Sequence, residues 1–104
     1  MIIYEVNCLV DNDVAGEFRV WLKTHADEVL ATDGFISAEI LTLVDDEHLV
    51  DRPYSKGFSI RYRVKDQSSL DHYLAHLAPA LRQEGVDRFG GQLSAYRRIL
   101  LEEQ

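Results

Sequence analysis

The sequence is short of the residues that staple or anchor a small chain. It has one cysteine, Cys8, in 104 residues, so no disulfide can close within it. Cys8 falls inside an apolar alternation, which predicts a buried, reduced thiol of an intracellular protein. There is no internal repeat and no low-complexity tract. No apolar run approaches the length that crosses a bilayer. The apolar start is broken by Glu5 and Asn7 and lacks a basic lead, so no signal peptide is expected. Positive charge is also scarce: 11 Lys and Arg stand against 18 Asp and Glu, a net charge of −7. That balance repels phosphate backbones and anionic membranes. The hydrophobic fraction, 46%, is that of an ordinary globular core. The expectation is one acidic cytoplasmic domain spanning residues 1–104, with neither nucleic acid nor membrane as partner.

What is present is strongly periodic. Ile2, Tyr4, Val6, Cys8 and Val10 share one face of an alternating stretch, with Ile3, Glu5, Asn7 and Leu9 on the other, the period of a strand. Asp11, Asn12 and Asp13 offer side chains that cap a helix start. Val14, Phe18, Trp21, Leu22, His25 and Val29 then follow at helical spacing, and Gly34 ends the helix. A second strand is predicted from Phe35 to Val44, with Ile36, Ala38, Ile40 and Val44 on one face. "DDEHLVDRPYSK", residues 45–56, is polar, contains Pro53 and reads as a hairpin loop. In the third strand Phe58, Ile60, Tyr62 and Val64 alternate with Ser59, Arg61, Arg63 and Lys65. "SSLD" at 68–71 has capping-box spacing before a stripe of Leu70, Tyr73, Leu74, Leu77 and Leu81. Pro79 is expected to kink or divide that helix. Gly85 and Gly90–Gly91 lead to a last strand from Leu93 to Leu101. The order β-α-β-β-α-β with right-handed crossovers predicts an α+β, ferredoxin-like fold. Its four-stranded antiparallel sheet has the first and third strands central and both helices on one face.

"KGFSIRYRV", residues 56–64, carries nearly the letters of an RNA-recognition strand. That reading would expose Phe58 and Ile60 for base stacking and turn Arg61 and Arg63 beneath the helices. Unpaired guanidiniums there cost on the order of several kcal/mol. The opposite register, with the aromatics inward, is therefore expected. The far face then carries Glu5, Asn7, Glu39, Arg61 and Arg63 together with Ile3, Leu9, Phe35, Leu41 and Leu43. Such a patch marks a contact surface. Two copies packing these faces as a homodimer would cover it and shelter the second strand's edge, with Glu5 and Glu39 offsetting Arg61 and Arg63.

"MIIYEVN", "YLAHLAPALRQEG" and "RFGG" together resemble an uncharacterised family of small bacterial proteins, over almost the whole chain. That family is similar in turn to the dimeric α+β barrels, which include antibiotic-biosynthesis monooxygenases, haem-degrading monooxygenases and stress-responsive barrel proteins. The resemblance implies a homodimer with two sheets forming a barrel and helices outside, and it implies no particular activity. Haem-degrading relatives use an asparagine on the first strand, a tryptophan, and a histidine on the second helix. Asn7 and His76 match in place. Trp21, the only tryptophan, lies instead on the first helix's apolar stripe, so the set is incomplete. Asn7 is expected to be a hydrogen-bonded barrel residue, His76 a surface residue and Trp21 part of the core.

His72 and His76 are spaced to approach one metal ion, yet no third ligand is evident, and a solvated face is expected. No metal and no other cofactor is expected. Spacing implies no Ser–His or Cys–His nucleophile, and Gly90–Gly91 precedes a strand, as a turn does. His25 reads either as a satisfied core histidine or as the wall of a helix–sheet pocket shared with Tyr4 and Tyr62. The functional expectation is a noncatalytic accessory protein or a binder of a small anionic or aromatic ligand. Arg61 and Arg63 would orient an anionic group, Asn7 would add a hydrogen bond, and His25 is the fourth candidate. The alternative is a cofactor-independent or haem-degrading-type monooxygenase.

Overall fold

The computed structural model describes residues 1–103. Its elements are β1 (Ile2–Asp11), α1 (Ala15–Leu30), β2 (Phe35–Leu43), a single turn α2 (Glu47–Val50), β3 (Ser55–Val64), α3 (Gln67–His76), α4 (Ala78–Phe89) and β4 (Leu93–Leu101). The sheet is antiparallel in the order β2-β3-β1-β4, so the first and third strands are central. No helix among the described residues is long and apolar enough to cross a membrane.

The alternation of β1 and β3 positions the core. Tyr4 faces Tyr62, Val6 faces Ile60 and Cys8 faces Phe58 across the ladder. Phe58, Ile60, Tyr62 and Val64 are all buried, whereas Arg61 and Arg63 are exposed. Phe18, Leu22 and Val29 of α1 close over them with Leu70 and Tyr73 of α3 and Phe89 of α4. Each large side chain so buried contributes about 1.5–3 kcal/mol. The aromatics that would stack on bases are thus beneath the helices.

Pro79 divides the second helix. The break falls at Leu77, and the proline sits in the first turn of α4, where its missing donor has no partner to lose. Leu77, expected on the buried stripe, is exposed at this break. Gly34 closes the turn after α1 at φ +86°, and a Cβ there would strike the Ser69 side chain, so both conformation and space demand glycine.

Several local expectations are corrected. Asp11, Asn12 and Asp13 make no side-chain cap, because Asn12–Val14 form a 3-10 turn that runs straight into α1. The cap of α3 is Asp66, which accepts from Ser69 N at 2.8 Å, rather than a residue of the 68–71 box. In β2 the register with β3 slips between Phe35 and Ser37. This bulge turns Phe35 into the core, 5.0 Å from Tyr73 and 5.9 Å from Tyr62 between ring centroids. It leaves Ile36 exposed, the reverse of the alternation, because one inserted residue swaps the faces on one side of it. Val44 lies beyond the strand and is exposed.

The β2–β3 connection is more than a hairpin loop. Asp46 caps α2 by accepting from His48 N at 2.8 Å, and it also accepts from the Tyr96 hydroxyl of β4. The His48 ring stacks on Tyr96 at 4.0 Å, and Asn12 N donates to Tyr54 O at 2.8 Å. The connection therefore lies across the far face of the sheet, alongside Leu9, which is buried. With Phe35 turned inward and Leu9 buried, the apolar part of that face shrinks to Ile3, Leu41, Leu43 and Leu100.

Candidate functional site

The four residues expected to bind ligand do not come together. Asn7, Arg61 and Arg63 lie on the far face of the sheet, and His25 lies on α1, beneath which the other face is buried. On the far face the organiser is Glu5, which is fully buried. Its carboxylate accepts from Asn7 Nδ2 at 2.9 Å, from Arg61 Nε at 3.0 Å and from Arg98 Nε at 2.7 Å. Burial pushes the Glu5 carboxyl up, but the Asn7 and Arg98 hydrogen bonds and both guanidinium charges outweigh it and hold the pKa below its ordinary value. Arg63 is engaged by Glu102 at 2.7 Å. Asn7, Arg61 and Arg63 are thus occupied by carboxylates of their own chain. Arg98 was missed from the sequence, although its place opposite Glu5 in β4 follows once the edge strand's register is known.

Asp46, Tyr96 and His48 continue this network at the rim. The Tyr96 hydroxyl bond and the His48 bonds hold Asp46 down at about 2. Burial, reinforced by Asp46, raises Tyr96 to about 12.

The other candidate is a cavity of about 290 Å³ between the helices and the sheet. Its inner wall is Tyr4, Tyr62 and Tyr73, with Tyr4 and Tyr62 stacked at 6.0 Å and Tyr73 edge-on to Tyr4 at 5.8 Å. Burial raises Tyr73 to about 12 and pushes Tyr62 up further, so these two hydroxyls stay neutral near pH 7. Trp21 and His25 form the α1 side, stacked at 4.5 Å. Gly85 of α4 lets the Trp21 ring in, since a Cβ there would lie 3.1 Å from its Cη2. The lining runs out to the exposed Arg82, Val86 and Arg97, which form the mouth. Arg82 donates to the Tyr4 hydroxyl at 3.1 Å.

His25 Nδ1 is buried in this wall and has no hydrogen-bond partner. Burial, with Arg97 adding to it and Glu28 opposing it, lowers the His25 pKa, so the ring is neutral near pH 7. Of the two readings of His25, the pocket wall shared with Tyr4 and Tyr62 is the one the geometry realises. Trp21 is half-buried on that wall rather than wholly in the core. His76 is exposed on α3 while Asn7 is buried on the far face, so the haem-degrading set is not assembled. His72 and His76 pack at 4.7 Å, and no cluster of three metal-ligating side chains occurs among the described residues.

Across residues 1–103 the sequence matches the family described as Domain of unknown function (DUF4286). The chain belongs to this family. No curated protein matches this DUF4286 chain. Its structure is similar to that of a candidate antibiotic biosynthesis monooxygenase of Deinococcus radiodurans, with 13% identity, a TM-score of 0.70 and coverage of 100% of this chain and 94% of that one. It is similar also to SnoaB, a cofactor-independent oxygenase of Streptomyces nogalater, with 14% identity, a TM-score of 0.67 and coverage of 99% and 94%. A third match is the protein At3g17210 of Arabidopsis thaliana, with 14% identity, a TM-score of 0.71 and coverage of 100% and 97%. At such identities the likeness shows the fold alone, and this DUF4286 chain has the ferredoxin-like α+β fold of those proteins.

Proposed function

We propose that this protein is a homodimeric, noncatalytic binding protein of the cytoplasm that holds a small organic molecule between its helices and its sheet. The observation that carries the reading is the aromatic cavity with a buried, unpartnered His25 Nδ1 in its wall. A buried polar atom without a partner costs about 1–3 kcal/mol, and a ligand seated there would supply the missing bond. Pockets of this kind, mostly apolar with a few convergent polar groups, are where small molecules bind. Asn7, Arg61 and Arg63 then belong to the dimer face. Glu5 pairs with Arg61 and Arg98 and Glu102 with Arg63, while Glu39, expected to offset an arginine, makes no ion pair among the described residues. Its charge still brings the face close to neutral, so two copies can meet across Ile3, Leu41, Leu43 and Leu100. Native mass spectrometry of the purified protein tests both parts. A dimer carrying a small organic adduct supports the reading; a monomer that takes up no aromatic compound refutes it.

A second reading, a cofactor-independent monooxygenase, draws on the fold shared with SnoaB and on the neutral imidazole in the cavity wall, which can accept a phenolic proton. Dioxygen consumption with phenolic substrates tests it, and no uptake above the buffer rate removes it.

A further inference from the structure

The mouth of the cavity carries a charge that folding does not use. In a chain of net charge −7, Arg82 and Arg97 border the cavity, and neither pairs with a carboxylate among the described residues. The other polar groups of the lining are three phenols, one imidazole, one indole and the Cys8 thiol, and the Glu28 carboxylate also acts on the imidazole. Arg82 spends one Nη on the Tyr4 hydroxyl and keeps donors to spare. The same lining holds the orphaned His25 Nδ1, near enough to Arg97 for that charge to act on the imidazole. A ligand that satisfies the whole lining therefore carries a negative group, a flat aromatic body, and a group able to hydrogen-bond beside His25. A hydroxyl meets that last need for either imidazole tautomer, since it both donates and accepts. An apolar cavity of roughly 150 Å³ holds benzene, so this one has room for one or two rings.

We infer that the cavity selects a hydroxylated aromatic carboxylate, with its ring against Trp21 and Tyr62, its carboxylate at Arg82 and Arg97, and its hydroxyl at His25. This rests on the binding reading above and adds the ligand class to it. Guanidinium–carboxylate contacts supply orientation as well as attraction, and the aromatic walls supply the burial.

The probes are 6-hydroxy-2-naphthoate, its methyl ester and 2-naphthoate. Affinity is measured by titration calorimetry, and the single indole N–H signal of Trp21 reports occupancy of the cavity by NMR. The hydroxy acid is expected to shift the Trp21 signal and to bind at least about tenfold more tightly than the ester. Arg97→Gln, a change at an exposed position, should narrow the acid's advantage over the ester, and Arg97→Gln combined with Arg82→Gln should remove it. His25→Phe should abolish the preference for the hydroxy acid over 2-naphthoate. Equal binding of acid and ester, with Trp21 shifted by both, overturns the carboxylate inference and leaves the cavity intact. No Trp21 shift with any probe overturns both this inference and the binding reading beneath it.

Discussion

Glu5→Gln isolates the charge that organises the far face. The substitution keeps the side chain's shape at a position with no solvent exposure. It replaces a carboxylate oxygen with an amide N–H₂, which must point at Asn7 and Arg98 or at Arg61, donors in either case. Removing one partner of a fully buried ion pair costs about 3–5 kcal/mol. Here the two arginine side chains are 47% and 57% exposed, so water rescues part of the loss, and the expected cost is about 2 kcal/mol. For a domain of this size that lowers Tm by about 10 °C, with an unchanged urea m-value. The pH dependence supplies a second check. Because the folded pKa of Glu5 is depressed, its contribution is present above the unfolded value of about 4.3 and is lost as pH falls through the folded value. The deficit of Glu5→Gln should therefore be complete at pH 7 and shrink below pH ~4. A Tm shift under about 3 °C, or a deficit that does not change with pH, would refute the electrostatic account.

Other perturbations reach different parts of the molecule. Burial pushes the Cys8 thiol up to about 12, so native protein at pH 8 should resist thiol reagents and react only in denaturant; fast native labelling contradicts this. Gly34→Ala should cost about 1–3 kcal/mol in urea melts, from the positive φ and the Ser69 clash, and a neutral effect would contradict the turn geometry. Tyr96→Phe removes the hydroxyl that Asp46 accepts from, and amides of residues 44–54 should exchange faster; unchanged protection would show that the connection is held otherwise. The lowered pKa of His25 means that the unfolded chain takes up a proton below about pH 6.5 when the folded one does not. Stability should therefore fall between pH 7.5 and 5.5, less steeply in His25→Leu, and equal slopes would sink that assignment.

The alternation of β1 and β3 was legible because both strands are central and each has one face buried by helices, which forces a strict period of two. Tyr4, Phe58, Ile60 and Tyr62 could be oriented from spacing alone. Edge strand β2 was legible only in part. Its bulge at Ile36 adds a residue without any composition cue, so Phe35 was assigned to the wrong face. The candidate site was half visible: His25 stands out as a polar group on an apolar stripe, whereas Arg82 and Arg97 look like ordinary surface arginines.

Hydrophobic periodicity and the Pro79 and Gly34 signals determined the element order, the strand orientation and the burial of the aromatics, because these depend on a residue and its near neighbours. Only the tertiary structure decided that Glu5 gathers Arg61 and Arg98, that Asp46 reaches Tyr96, and that Trp21, Tyr62 and Arg97 border one cavity. Those meetings join strands and helices far apart in the chain, and their geometry follows from register and packing that no local pattern encodes.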